Sequence, residues 1–219
     1  MCFNPTASLI AFSIGLISFV ILLYLKIYNA SIIVFDLFII QLLEYFAHTS
    51  IINKDKSMNE ISSKLIFIFV LIQPILYYLT TLITNKQYII KNANNYLFLL
   101  PIYIIICVLF YFYLNSKNLF KTTYLNDSCK SICRLSWDFF GYNKLISIMI
   151  LLLYIAIFIA FWKNISLNYY SQILIVIAFI YTVFLTREMK SIFSIFGSIW
   201  CFLSVTYGPL VIMNYYKLL

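Results

Sequence analysis

Of the 219 residues, 64% are hydrophobic and 20% aromatic but only 10% are charged, and the formal net charge is +8. With a mean hydropathy of +0.98, this composition excludes an ordinary soluble domain, whose apolar share is roughly 45–50%. Basic residues are scattered over short connections instead of forming one stripe, which argues against a nucleic-acid partner and for anionic lipid headgroups.

In chain order, the first apolar stretch covers 8–26. No positively charged region precedes it and no small-x-small cleavage site follows, so it reads as a retained helix and not a signal peptide. The second stretch covers 31–52, the third 61–83 with Pro74 at mid-depth, and the fourth 96–115 with Pro101 nearer one end. A longer polar segment then runs from Ser116 to Asn143, before apolar stretches at 144–163, 170–186 and 191–216. Each is long enough to cross a bilayer, and a spanning segment must satisfy its own backbone hydrogen bonds, so each is predicted to be an α-helix. The expected fold is all-α: a polytopic, seven-helix transmembrane bundle formed by residues 1–219 as one domain. Short connections make neighbouring helices antiparallel.

The Lys and Arg distribution sets the expected orientation. Connections 2, 4 and 6 hold Lys54, Lys56, Lys64, Lys117, Lys121, Lys130, Arg134, Lys144, Arg187 and Lys190, whereas the other side holds Lys26, Lys86, Lys91, Lys163 and Lys217. Ten against five predicts a cytoplasmic N-terminus and an outside C-terminus. The sequon Asn126-Asp127-Ser128 then faces the cytoplasm and stays bare. The absence of a lysine between Lys190 and Lys217 argues against a retinal protein.

The second span carries the polar residues of greatest interest. Asp36, Glu44 and His48 fall on an i+4 row, which drifts about 40° per step and climbs roughly 18 Å over twelve residues. Gln41 flanks this ribbon, and Gln73 in the third span sits beside Pro74, whose missing N–H frees a carbonyl four residues earlier. A mid-span carboxylate costs about 2.5–3.5 kcal/mol, so Glu44 is expected to be protonated, paired or facing water. The functional reading is a proton relay or ion path through Asp36, Gln41, Glu44, His48 and Gln73. The bland alternative is a neutral Glu44 bonded to a neighbouring helix, with His48 reaching the interface. In the last span Ser194, Gly197, Ser198, Cys201, Ser204 and Gly208 recur at spacings of three and four, a stripe that lets another helix approach. Spans 2, 3 and 7 are the expected core.

Cys107 and Cys201 read as packing thiols, and Cys2, Cys129 and Cys133 fall on the predicted cytoplasmic side. Cys129 and Cys133 lack the spacing of a zinc knuckle, so no metal and no cofactor are expected. Removal of Met1 would leave Cys2 at the membrane surface with a free amine and thiol.

The opening Met1-Cys2-Phe3-Asn4-Pro5-Thr6-Ala7-Ser8 resembles the Met-Cys-Phe-Ser-Ala-Thr-Ala-Ser of an uncharacterised seven-span membrane protein family of bacteria and large DNA viruses. Gln41 and Glu44 match that family's Gln-Gln-x-x-Glu-Gly-x-x-Trp in the second span. Ser198, Trp200, Cys201 and Phe202 match its Ser-x-Trp-Cys-Phe in the last. The family's glycine and tryptophan are Tyr45 and His48 here, so the resemblance singles out Cys2, Gln41, Glu44, Trp200 and Cys201 and gives His48 no role. It implies a seven-helix membrane protein of unknown activity.

Three function classes follow. The first is a small proton-coupled transporter or channel, with membrane lipids and a small ion or proton as partners, acting alone or as a homo-oligomer. The second is an intramembrane enzyme using Cys2, Glu44 or His48, although the sequence assigns no catalytic residue and contains neither Gly-x-Ser-x-Gly nor His-Glu-x-x-His. The third is a structural or assembly protein of a membrane. A seven-span sugar carrier is disfavoured because its Pro-Gln hallmark appears only reversed, as Gln73-Pro74.

Overall fold

The computed structural model describes residues 4–84, 98–124, 135–161, 173, 177 and 205–218. Helix α1 spans Pro5–Tyr24, α2 Tyr28–Ile52, α3 Lys56–Thr84, α4 Leu99–Ser116 and α5 Lys144–Phe161, and residues 205–215 are also helical. Among the described residues four helices are long and apolar enough to cross a membrane: Pro5–Tyr24, Tyr28–Ile52, Lys56–Thr80 and Leu99–Ser116. The described apolar stretch of α5, Lys144–Ile157, is shorter. Of the expected span 170–186 only residues 173 and 177 are described, both helical. Of 191–216 the part before 205 lies outside the described residues.

Local chemistry explains where the helices begin and end. Asn4 caps α1, its Oδ1 accepting from the Ala7 backbone N–H at 2.8 Å, and Pro5 occupies the first helical position, where a missing N–H costs nothing. Asp55 does the same for α3, accepting from the Met58 N–H at 3.0 Å, and Asn143 for α5, accepting from the Ile146 N–H at 3.2 Å. Helix α1 closes with Lys26 at φ 59°, where the Ile27 N–H reaches the Leu22 carbonyl at 2.9 Å. Helices α2 and α4 repeat this ending at Lys54 (φ 57°) and Asn118 (φ 52°), as does the 205–215 segment at Lys217 (φ 56°). The paired reverse bonds are those of a Schellman ending, with lysine or asparagine where glycine is usual. A lysine there spends some backbone strain but places a cation at the negative end of the helix dipole.

Helix α2 packs against α1 on one side and α3 on the other, and α5 packs against α3 and α4. The α1 face turned inward is Ser8, Ala11, Gly15, Ser18 and Leu22, four of them small. A Cβ on Gly15 would sit 2.4 Å from the Phe38 Cβ, and one on Gly208 would sit 2.5 Å from the Ser18 Cβ. The close approach of α1 to both neighbours therefore rests on those two glycines.

The 116–143 connection departs from the all-α expectation. Thr122–Tyr124 (β1) and Leu135–Trp137 (β2) form a two-stranded antiparallel ribbon in the register Thr122↔Trp137, Thr123↔Ser136 and Tyr124↔Leu135. Alternation drives it: Leu135 and Trp137 are buried while Ser136 between them is not. A 3-10 turn, Asp138–Phe140, follows. Phe120, Leu135, Trp137, Phe139 and Phe140 are all buried, and the Phe67 ring of α3 meets those of Phe110, Phe120, Phe139 and Phe140 at centroid distances of 5.4–5.9 Å. This polar-looking connection thus closes one end of the bundle with an aromatic plug.

Candidate functional site

The polar ribbon of α2 faces inward along its whole length. Asp36 is 2% exposed, and Gln41, Glu44 and His48 are 0% exposed. The i+4 spacing explains why they share a face, and the packing of α1 and α3 on either side explains why that face is buried.

At the Asp36 end, three helices contribute to one chain of hydrogen bonds. Gln73 of α3, itself 3% exposed, donates through Nε2 to Asp36 Oδ2 at 2.5 Å. Its Oε1 accepts from the hydroxyl of Tyr154 on α5. Asp36 Oδ1 has no hydrogen-bond partner among the described residues. Asp36 lines a crevice together with Ile33, Leu37, Gln73 and Leu76 that is too narrow for a water molecule. Nearby, the buried Tyr103 of α4 donates to the Leu71 carbonyl at 2.8 Å, close to where Pro74 interrupts the α3 ladder.

At the other end, His48 Nδ1 lies 3.3 Å from the Tyr124 hydroxyl, with ring centroids 5.6 Å apart. Burial raises the Tyr124 phenol above its ordinary value, so it keeps the proton with which it can serve Nδ1. The strand carrying Tyr124 is held by Asn59, whose Oδ1 accepts from the Thr122 N–H and whose Nδ2 donates to the Thr122 carbonyl, both at 3.0 Å. Asn59 Nδ2 also donates to Ser50 Oγ at 3.2 Å, and the Ser63 and Thr122 hydroxyls meet at 2.7 Å. Asn59 therefore acts as an extra strand residue at the edge of β1, filling the pairing that a two-stranded ribbon lacks. These bonds put the α2–α3 turn and the 116–143 connection at the same end of the bundle.

The structure thus brings Asp36 and Gln73 together and places Gln41, Glu44 and His48 on the same buried face. Cys2, Trp200 and Cys201 lie outside the described residues. Among the described residues no group of three or more His, Cys, Asp or Glu could hold a metal. Sequence reasoning missed Tyr154, Asn59 and Tyr124. A single hydroxyl inside the apolar run Ile150–Ala156 was a signal for Tyr154, but with 19 tyrosines in the chain it did not stand out. No family model, curated protein or solved structure matches the chain.

Proposed function

We propose that the chain is an integral membrane protein of seven spans whose second helix carries a path for protons or small ions, making it a compact transporter or channel. The observation that carries this reading is an inside-out distribution of polarity. Asp36, Gln41, Glu44 and His48 of α2 and Gln73 of α3 are buried, while Ile17, Leu109, Phe112 and Leu152 stand 61%, 64%, 63% and 62% exposed. Water would penalise that surface and lipid would not, and ionisable groups buried at membrane depth are costly enough to mark pathways. The bundle end that collects Lys54, Lys56, Lys117 and Lys121 is assigned to the cytoplasm, where anionic headgroups favour it. The opening string and those around Glu44 and Trp200 favour membership of the uncharacterised seven-span family. In proteoliposomes with an entrapped pH dye, the wild-type chain is expected to pass protons or a small cation down an imposed gradient. Glu44→Gln should abolish the pH-dependent part while the protein still folds. No flux from the folded wild type under proton, sodium or potassium gradients would refute the reading.

A second reading, a structural or assembly protein, draws on the tightness of the crevice at Asp36, which suits interhelical hydrogen bonds serving only as glue. It predicts that Glu44→Gln and Cys2→Ser are both silent and that function follows self-association. The intramembrane-enzyme reading ranks third, because the Tyr124 strand covers His48.

A further inference from the structure

We infer that Asp36 is the group that takes up and releases the transported proton, with Tyr154 and Gln73 as its positioning residues and the Ile33–Leu76 crevice as its route to water. This deepens the transport reading and rests on it.

The geometry is directional. The Tyr154 hydroxyl donates to Gln73 Oε1, which fixes the amide so that Nε2 donates to Asp36 Oδ2. The two donors therefore act in series, Tyr154 on Gln73 and Gln73 on Asp36, so that one oriented N–H stabilises negative charge when it develops on Oδ2. The second oxygen, Oδ1, is buried, has no partner among the described residues, and belongs to the residue that lines the crevice. Leaving a buried polar atom unmatched costs about 1–3 kcal/mol, a cost that Oδ1 carries in the closed crevice. Here one oxygen is held and the other is left for a proton. With the crevice closed, the proton stays on Oδ1. When the crevice widens enough to admit water, a water molecule accepts the proton, and the carboxylate left behind keeps the Gln73 N–H on Oδ2.

Among the described residues few competing charges surround this site. From α3 the facing group is neutral Gln73, and from α5 it is Tyr154. Helix α1, packed on the other side, has no Asp, Glu, Lys, Arg, His or Cys between Pro5 and Tyr24. Helix α4 contributes Tyr103 and Cys107 near Leu71. The 205–215 segment, which touches Val34 through Gly208, contributes the buried Tyr207. Along α2, Glu44 is two turns away, roughly 12 Å, and His48 lies one turn beyond. Among the described residues no cation faces Asp36, so a proton is the ligand that neutralises it.

The test is infrared spectroscopy of the full chain in lipid, with aspartate isotope-labelled at the side-chain carboxyl so that Glu44 is spectrally silent. A labelled protonated-acid carbonyl band should convert reversibly to carboxylate as pH rises, with helical circular dichroism unchanged. Asp36→Asn should remove that band, and Tyr154→Phe should shift both its frequency and the pH at which it converts. If Asp36→Asn does not fold, the chain with Asp55, Asp127 and Asp138 all changed to Asn retains Asp36 as its sole aspartate and must show the same conversion. A labelled band that never converts, or a converting band that survives Asp36→Asn, overturns the inference. Proton flux in proteoliposomes separates the two levels. Conversion at Asp36 without flux supports the proton site and overturns transport, whereas flux undiminished in Asp36→Asn overturns the site and leaves transport standing.

Discussion

The two ends of the α2 ribbon solve the same problem with different materials. At Asp36 the polar group lies between apolar helices, where the Gln73 side chain of α3 bonds one carboxyl oxygen, Tyr154 of α5 holds Gln73 in turn, and the other oxygen has no partner among the described residues. At His48, still within α2, the strand of the 116–143 connection brings in backbone groups that Asn59, Ser63 and Tyr124 join into a dense network. The Asp36 end is sparse and adjustable. The His48 end is cross-linked by backbone bonds and an aromatic plug, and it resists opening.

That contrast is broken most severely at Asn59. Asn59→Leu keeps the size of the side chain but strands the Thr122 N–H and carbonyl, and Thr122 is buried. Each orphaned group costs about 1–3 kcal/mol, so a loss of about 2–6 kcal/mol is expected in thermal or denaturant unfolding in micelles. Hydrogen exchange should show deprotection confined to 120–140 and the start of α3. Unchanged exchange there would mean that the hairpin is held by its aromatic residues alone. Gly15→Val comes next. It leaves every polar group of the ribbon in place but drives a methyl into Phe38, and overpacking of this kind costs typically 1–3 kcal/mol. Its signature is a stability loss without deprotection of the hairpin, because α1 meets α2 far from β1.

How much of this arrangement could be read from the sequence depends on which force made it. Helix α2 at Tyr28–Ile52 and α4 at Leu99–Ser116 lie close to the expected 31–52 and 96–115, because hydrophobic length alone specifies them. Helix α1 begins at Pro5 and not at residue 8, since the Asn4 cap and Pro5 extend it through residues that hydropathy ignores. The inward face Ser8-Ala11-Gly15-Ser18 was as legible as the stripe in the last span, having the same spacing of three and four. The hairpin was not legible: 116–143 scores as polar, and only the short alternation Leu135-Ser136-Trp137 announces a strand. Nor were the Schellman endings at Lys26 and Lys54, because a lysine in that position looks like any other loop cation. At the site, i+4 spacing puts Asp36, Glu44 and His48 on one face by geometry alone. Which helix meets which residue depends on rotations about the helix axes that no single sequence records.

A smaller effect sharpens the sparse end. Gln73→Leu removes the link between Tyr154 and Asp36, and hydrogen bonds between membrane helices average about 0.6 kcal/mol with a maximum near 1.7. A destabilisation of about 1–2 kcal/mol is expected, with α5 loosened from α3 and the hairpin unaffected. Cysteine pairs placed across α3 and α5 should cross-link more slowly in this variant. A loss above about 3 kcal/mol would show instead that the Asp36 end is as rigid as the other.

The smallest expected effect concerns alkaline pH at the rigid end. Burial holds the Tyr124 phenol above its ordinary value, and Tyr142, on the same connection, is raised by burial and by the nearby Asp138 carboxylate. In the unfolded chain both phenols ionise near ~10. In the folded chain they keep their protons longer, so above that pH the folded state binds more protons than the unfolded one, and stability must fall as pH rises. The contribution is complete below the ordinary tyrosine range and disappears as pH climbs through the raised values. Tyr124→Phe should flatten part of this alkaline decline while weakening the chain slightly at neutral pH, where the His48 contact is lost. Because Tyr142 is largely solvated, Tyr142→Phe should flatten it less. If the two variants decline alike, the seal over His48 does not depend on the Tyr124 hydroxyl, and the aromatic plug alone closes that end.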